Sequence, residues 1–202
     1  RKLEGKDYLN RLSLELKLPI YVQKDTGFLF THDIHSLHLE NVPSVLGFYL
    51  GTGFGNAIQI DHRIITGDYG SAGEIGHIPM HQAHDVCGCG SIGCVETLTS
   101  GVKLKQLFTL HAENPLVKEF IHNFAMTIAI EINLLDVTQI IVGGGVVNMV
   151  DFPRHSLEQE IKGFLRNDVA RATFNVSYAT SAVENGIIGA GIYAFQKLGG
   201  NS

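Results

Sequence analysis

The sequence predicts an α/β protein built on one mixed sheet with helices on its faces. Three strand-like runs follow one another from Val45, and two later apolar runs, 139–142 and 173–179, alternate with helical stretches. Antiparallel neighbours need only a tight turn, whereas parallel neighbours need a helix-sized crossover, so this order gives one sheet of mixed direction. A third observation sets the chain apart: the stretch 73–101, GEIGHIPMHQAHDVCGCGSIGCVETLTSG, holds all three cysteines.

Taken in order, leucines at 3, 9, 12 and 16 fall near helical spacing and predict a helix over 3–16, stopped by Pro19. The short apolar run 19–22 reads as a strand. Asp25 follows where that strand gives way to Thr26-Gly27-Phe28, a strand-end position of the kind at which open α/β sheets carry ligands. It equally suits the cap of a following helix. After the polar, histidine-rich 31–41 and Pro43, strands are expected at Val45–Leu50, 56–60 and 63–65, the last two flanking the turn Asp61-His62. Between the first two, Gly51-Thr52-Gly53-Phe54-Gly55 permits a tight turn whose backbone N–H groups could face an anion, although a plain hairpin uses the same residues.

Beyond the cysteines, 97–110 and Pro115–Leu135 read as helices, with Phe120, Phe124, Ile128, Ile132 and Leu135 forming a core-facing stripe. The β-branched run 139–142 then enters Gly143-Gly144-Gly145, where a flat ligand can approach the backbone closely. A helix over 153–165, the strand 173–179 and a helix over 185–198 complete the chain. Glycines at 186, 189 and 191 weaken the last helix unless something packs close against it.

A net charge of -5 and the lack of any arginine-rich run argue against nucleic acid as a partner of this chain. No apolar run reaches the roughly 18 residues of a membrane span, and the first residues lack a signal peptide's apolar core. Clustered, metal-type cysteines fit a reducing compartment, so a cytoplasmic location is expected. Cys87, Cys89 and Cys94 with one of His77, His81 or His84 would give Zn²⁺ a closed, four-coordinate structural site. The alternative is three buried thiols packed as small hydrophobes, and spacing alone leaves the histidine open.

Gly73-Glu74-Ile75-Gly76-His77, then Cys87-Gly88-Cys89-Gly90 and Gly93-Cys94-Val95-Glu96, resemble the signature of the ROK family of sugar kinases and sugar-sensing repressors. The resemblance implies His77 as the fourth ligand with Cys87, Cys89 and Cys94. It implies an actin/hexokinase-like fold, with Gly51, Thr52, Gly53 and Gly55 as a phosphate loop and Gly143, Gly144 and Gly145 as an adenosine motif. Asp25 would be the general base, and Glu74, His77 and Glu96 would bind ring hydroxyls; from the residues alone these acids could be ordinary surface carboxylates. ATP, Mg²⁺ and a hexose are the implied ligands, and family proteins commonly form homodimers. The runs 111–114, 132–136 and 152–154 are similar to those of D-allose kinases.

Two departures from the family pattern stand out. Lys24 and Gly27 occupy positions where the family usually has asparagine, which would change the contacts to the sugar. The Asp-x-Gly-x-Thr phosphate loop of the first lobe does not occur, so 1–43 reads as a remnant of that lobe and 44–202 as the second, actin-like lobe. The chain as given is then expected not to turn over ATP and sugar alone. A sugar-sensing domain of a ROK repressor is the alternative reading.

Overall fold

The computed structural model describes residues 6–101 and 113–199. Helix α1 spans Lys6–Leu16 and α2 spans Asp25–Ser36. Strands β1 (Val45–Leu50), β2 (Phe54–Ile60) and β3 (Arg63–Ile64) follow, then the short helix α3 (Glu96–Thr99) and the long helix α4 (Pro115–Leu135). The remainder is β4 (Gln139–Gly143), α5 (Arg154–Phe164), α6 (Asp168–Thr173), β5 (Asn175–Tyr178) and α7 (Asn185–Gly199). One sheet runs in the order β3-β2-β1-β4-β5; β1 is antiparallel to β2 and parallel to β4, and β4 is parallel to β5. The mixed sheet expected from the sequence is therefore present, in the expected strand order along the chain.

Both faces of the sheet are covered. Leu46, Phe48, Leu50, Ile140 and Val142 pack with Phe124, Ile128 and Ile132 of α4 and Leu157 and Ile161 of α5. The alternate residues Val45, Tyr49 and Ile141 pack with Phe30 and Ile34 of α2. This period of two along β1 and β4, with every residue of β1 buried, is that of a central strand between two helical layers.

Three expectations are corrected. The run 19–22 is not a strand, because among the described residues no strand lies beside it to complete a ladder. Of the two readings of Asp25, the one at the start of a helix is found in place of a strand end, and the polar stretch from Thr31 is helical as far as Ser36. Its Gly, Thr and His content is poor for a helix, but Phe30 and Ile34, four apart, are buried on the sheet, and tertiary packing overrides propensity. Third, the expected helix over 97–110 ends its first piece at Thr99, and its positions from 102 lie outside the described residues. The short helix α6 is additional; the Asn167 side chain caps it by accepting the Ala170 N–H at 2.7 Å. Among the described residues, no helix is long and apolar enough to cross a membrane.

Gly189 explains one of the glycines in α7. A Cβ built there meets the Phe28 carbonyl of α2, whereas one built at Gly191 meets nothing within 4 Å. Gly189→Ala is therefore expected to lower stability by about 2–3 kcal/mol through overpacking, seen as a lower urea midpoint at unchanged slope. Gly191→Ala should instead raise stability by about 0.5–1 kcal/mol.

Glu131 of α4 is 5% exposed and accepts a hydrogen bond from Asn56 Nδ2 at 2.8 Å. Burial raises its carboxyl from 4.5 to about 7. Between those values the folded state holds more protons than the unfolded chain, so stability falls as pH rises through the interval, by about 3 kcal/mol in all. Glu131→Gln keeps an acceptor for Asn56 and removes the ionisation. Urea titrations should find its stability relative to the parent about 2–3 kcal/mol more favourable at pH 8 than at pH 5.

Candidate functional site

Strands β1 and β4 lie side by side in parallel, with Tyr49 opposite Gly143, so the loops that follow them emerge at the same sheet edge. These are Gly51–Gly55 and Gly143–Gly145. The carboxyl edge of neighbouring parallel strands is where α/β proteins bind ligands. The two loops are joined where Val146 N–H donates to Leu50 O at 3.1 Å, and Gly51 O accepts the N–H of Gly101, just beyond α3, at 2.9 Å. Gly144, at φ +93°, lies so close to the Leu50 backbone that no side chain fits there. Built Cβ atoms at Gly51 and Gly145 meet nothing within 4 Å, so the backbone faces open space at both.

Helix α2 brings Asp25 to this edge. Gly55 packs against the Thr26 side chain, and Thr26 N–H donates to Asp25 Oδ1 at 2.7 Å. Asp25 is exposed at the helix's first position, where the macrodipole favours a carboxylate. The preceding residue, Lys24, donates from Nζ to Glu74 Oε1 at 2.8 Å and to Ala72 O at 2.9 Å. The other Glu74 oxygen stands 3.7 Å from His77 Nε2. A chain of groups thus runs from the start of α2 through Glu74 to His77.

His77 turns its second ring nitrogen to the cysteines. Cys87 Sγ lies 3.5 Å from His77 Nδ1, Cys89 Sγ lies 3.6 Å from Cys94 Sγ, and the four ligand atoms all fall within 4.8 Å of one another. A tetrahedral ion with ordinary zinc bond lengths has edges of about 3.8 Å between sulfurs and about 3.5 Å between sulfur and nitrogen. The group therefore has the size and donor set of a four-coordinate thiolate–imidazole site. His81 and His84 are exposed and stand outside it.

The loop is shaped for this grouping by bridges between Pro79 and Cys94 and between Val86 and Ile92, with Gly90 and Gly93 turning at φ +92° and +85°. Burial pushes the Cys94 thiol up to about 12. Hydrogen bonds from the Ser91 backbone and side chain hold exposed Cys89 down at about 7. Without a cation, three thiolates cannot share this space; a divalent ion supplies the charge that lets them ionise.

Glu96, the first residue of α3, connects the cysteines to the glycine loop. Its Oε2 accepts the Phe54 N–H at 2.8 Å, and Cys87 Sγ lies 3.6 Å from Oε1. A carboxylate offers about four lone-pair sites, so room for a ligand hydroxyl remains. Sequence reasoning overlooks this dual tie, and likewise the Lys24–Glu74 pair. The only hint of the latter was a lysine beside Asp25.

The segments resembling allose kinases lie elsewhere. Asn133 donates to Phe164 O at 3.0 Å, Asp136 pairs with Arg166 at 2.7 Å, and the Arg154 guanidinium sits 4.5 Å over the Tyr178 ring. Asn114 caps α4, and residues 111 and 112 lie outside the described residues. A groove of about 610 Å³ between α4 and α5 contains none of the expected site residues.

A family model described as the ROK family matches residues 2–197. The chain is 28% identical over 182 residues to an N-acetyl-D-glucosamine kinase of Haemophilus influenzae, covering 73% of this chain and 59% of that protein. It is 27% identical over 217 aligned positions to a glucokinase of Halalkalibacterium halodurans, covering 90% of this chain and 65% of that protein. The chain thus spans less than two thirds of either relative. Among solved structures, the ROK hexokinase from Thermus thermophilus superposes with a TM-score of 0.79 at 22% identity, over 96% of this chain and 71% of that one. This likeness extends the mixed sheet to that hexokinase's fold.

Proposed function

Because the chain belongs to the ROK family, we propose that it acts in ATP-dependent phosphorylation of a hexose hydroxyl, with D-allose the leading sugar. The observation that carries this reading is the emergence of both glycine loops at the carboxyl edge of β1 and β4, with Thr26, next to Asp25, packed against Gly55 of the first. Phosphoryl transfer asks little covalent chemistry of a protein; it asks for positioning, a base beside the nucleophile and donors on the phosphates. Asp25 takes the proton from the attacking hydroxyl. The backbone at Gly51–Gly55 holds phosphate oxygens, and Gly143–Gly145 lies against the adenosine. Mg²⁺ brought with ATP would neutralise charge on the transferring group.

Glu74, His77 and Glu96 bind ring hydroxyls. Zn²⁺ held by His77, Cys87, Cys89 and Cys94 is structural: four protein ligands close the site, and the ion fixes the loop that presents these three residues. The kinase reading is favoured over a sugar sensor because a sensor has no use for a base at Asp25 beside the glycine loops.

The sugar is tested by coupled assay of ADP release on the natural full-length polypeptide, over D-allose, D-glucose, D-fructose, N-acetylmannosamine and N-acetylglucosamine. The highest kcat/KM is expected on D-allose; a higher value on another sugar assigns that one instead.

A further inference from the structure

The turn that presents Glu74 rests on β2. Gly73, at φ +78°, lies so close to Asn56 that a Cβ built there stands 2.7 Å from Asn56 Oδ1 and 3.0 Å from its carbonyl oxygen; one built at Gly76 stands 2.8 Å from Phe54 O. Asn56 is 1% exposed, and both donors of its amide are committed: Nδ2 donates to Gly47 O of β1 at 3.0 Å and to Glu131 Oε2 of α4 at 2.8 Å. Held on two sides, the planar amide has one orientation, and its oxygen is fixed against Gly73. That oxygen is buried and accepts no hydrogen bond among the described residues. Glu131 thus gives a buried acceptor to a buried amide whose other end touches the residue before Glu74. We propose that Asn56 and Glu131 are positioning residues of the sugar site, a polar prop that sets the Gly73 turn and through it the carboxylate of Glu74. This rests on the sugar-binding reading of Glu74.

A carboxyl and an amide are an unfavourable filling for a core. Phe54 and Ile58, two positions to either side of Asn56 on the same face of β2, pack into the apolar cluster with Phe124 and Ile128. Burial among such neighbours raises the Glu131 carboxyl to about 7. Two apolar side chains of similar volume would hold α4 on β2 equally well, because replacing both partners of a buried hydrogen bond is nearly neutral, whereas removing one leaves the other unpaired. What an apolar pair lacks is direction. Two N–H···O bonds orient a planar group, and the polar pair stands where the core meets the turn that carries Glu74 and His77.

The test uses the natural full-length polypeptide and its variants Glu131→Gln, Glu131→Leu and Asn56→Leu/Glu131→Leu, with circular dichroism and urea titration to follow folding and stability. Equilibrium binding is measured for ATP and for D-allose, D-glucose, N-acetylmannosamine and N-acetylglucosamine. Glu131→Gln keeps an acceptor for Asn56 and should bind sugar within about twofold of the parent. Glu131→Leu should weaken sugar binding by about tenfold or more and ATP binding by less than about twofold. The double variant, which leaves neither partner unpaired, should recover the stability lost in Glu131→Leu but not the sugar affinity. In a Glu74→Gln background, Glu131→Leu should weaken sugar binding by less than about threefold further, because the prop acts through Glu74. Recovery of stability and sugar affinity together in the double variant would make the pair a packing element and overturn the proposal. Unchanged sugar affinity in a folded Glu131→Leu would overturn it alone, leaving the sugar-binding reading in place. A folded parent that binds none of the four sugars removes that reading, and this inference with it.

Discussion

Asp25→Asn is expected to lower sugar-phosphate formation by about 10²–10⁴, the range general-base catalysis contributes, with KM for the sugar changed far less than kcat. Asparagine keeps an oxygen that can accept the Thr26 N–H now bonded to Asp25 Oδ1 at 2.7 Å, so the start of α2 is preserved. What it loses is the ability to take a proton. The substituted residue is exposed and contributes nothing to either core, so thermal stability should be close to that of the parent. Steady-state kinetics with a direct assay of sugar phosphate checks the result. An unchanged kcat would show that Asp25 serves only as the acidic residue in the first turn of its helix.

Loss of the metal should have the largest effect on stability. Purified protein is expected to carry about one zinc per chain, and Cys94→Ser to carry far less, by elemental analysis. With free zinc about 1,000-fold above its dissociation constant, the linkage is worth about 4 kcal/mol, so chelation should lower Tm by several degrees, and Cys94→Ser should reproduce the shift. Cys94 is 1% exposed, and its bridge to Pro79 joins the two sides of the loop, which is why its replacement should be felt so strongly. Sugar affinity should fall too, by about tenfold, because Glu96 and His77 are held by the same group of side chains that would hold the ion. Zinc well below one per chain in the parent, with no response to chelation, would leave the cysteines as packed thiols.

The parts of this architecture that repeat were readable in advance. The three-and-four spacing of Phe120, Phe124, Ile128 and Ile132 states a helical period, and the short apolar runs 45–50 and 139–142, each ending in glycines, read as buried strands by their length and flanks. Helix α2 has no such period: Phe30 and Ile34 are its buried apolar anchors on the sheet, and the close approach of Gly189 to Phe28 comes from a helix far along the chain. In the site, residue type and clustering pointed to a thiolate–imidazole group, the resemblance singled out His77, and the fold groups His77, not exposed His81 or His84, with the three cysteines. The contacts of Glu96 with Phe54 and of Lys24 with Glu74 bridge 42 and 50 residues, and no local pattern encodes them. Of the segments resembling those of allose kinases, Asn133 and Asp136 bond to Phe164 and Arg166 at the end of α5, which are not among the expected site residues.

The most direct test of the account is transfer of the terminal phosphate of ATP to a hexose by the natural full-length polypeptide loaded with zinc, with ADP and sugar phosphate measured together. The two products are expected in equal amounts, strictly dependent on sugar, with both lost in Asp25→Asn. ADP formed at the same rate without sugar, or no sugar phosphate from a protein that binds both hexose and ATP, would contradict it.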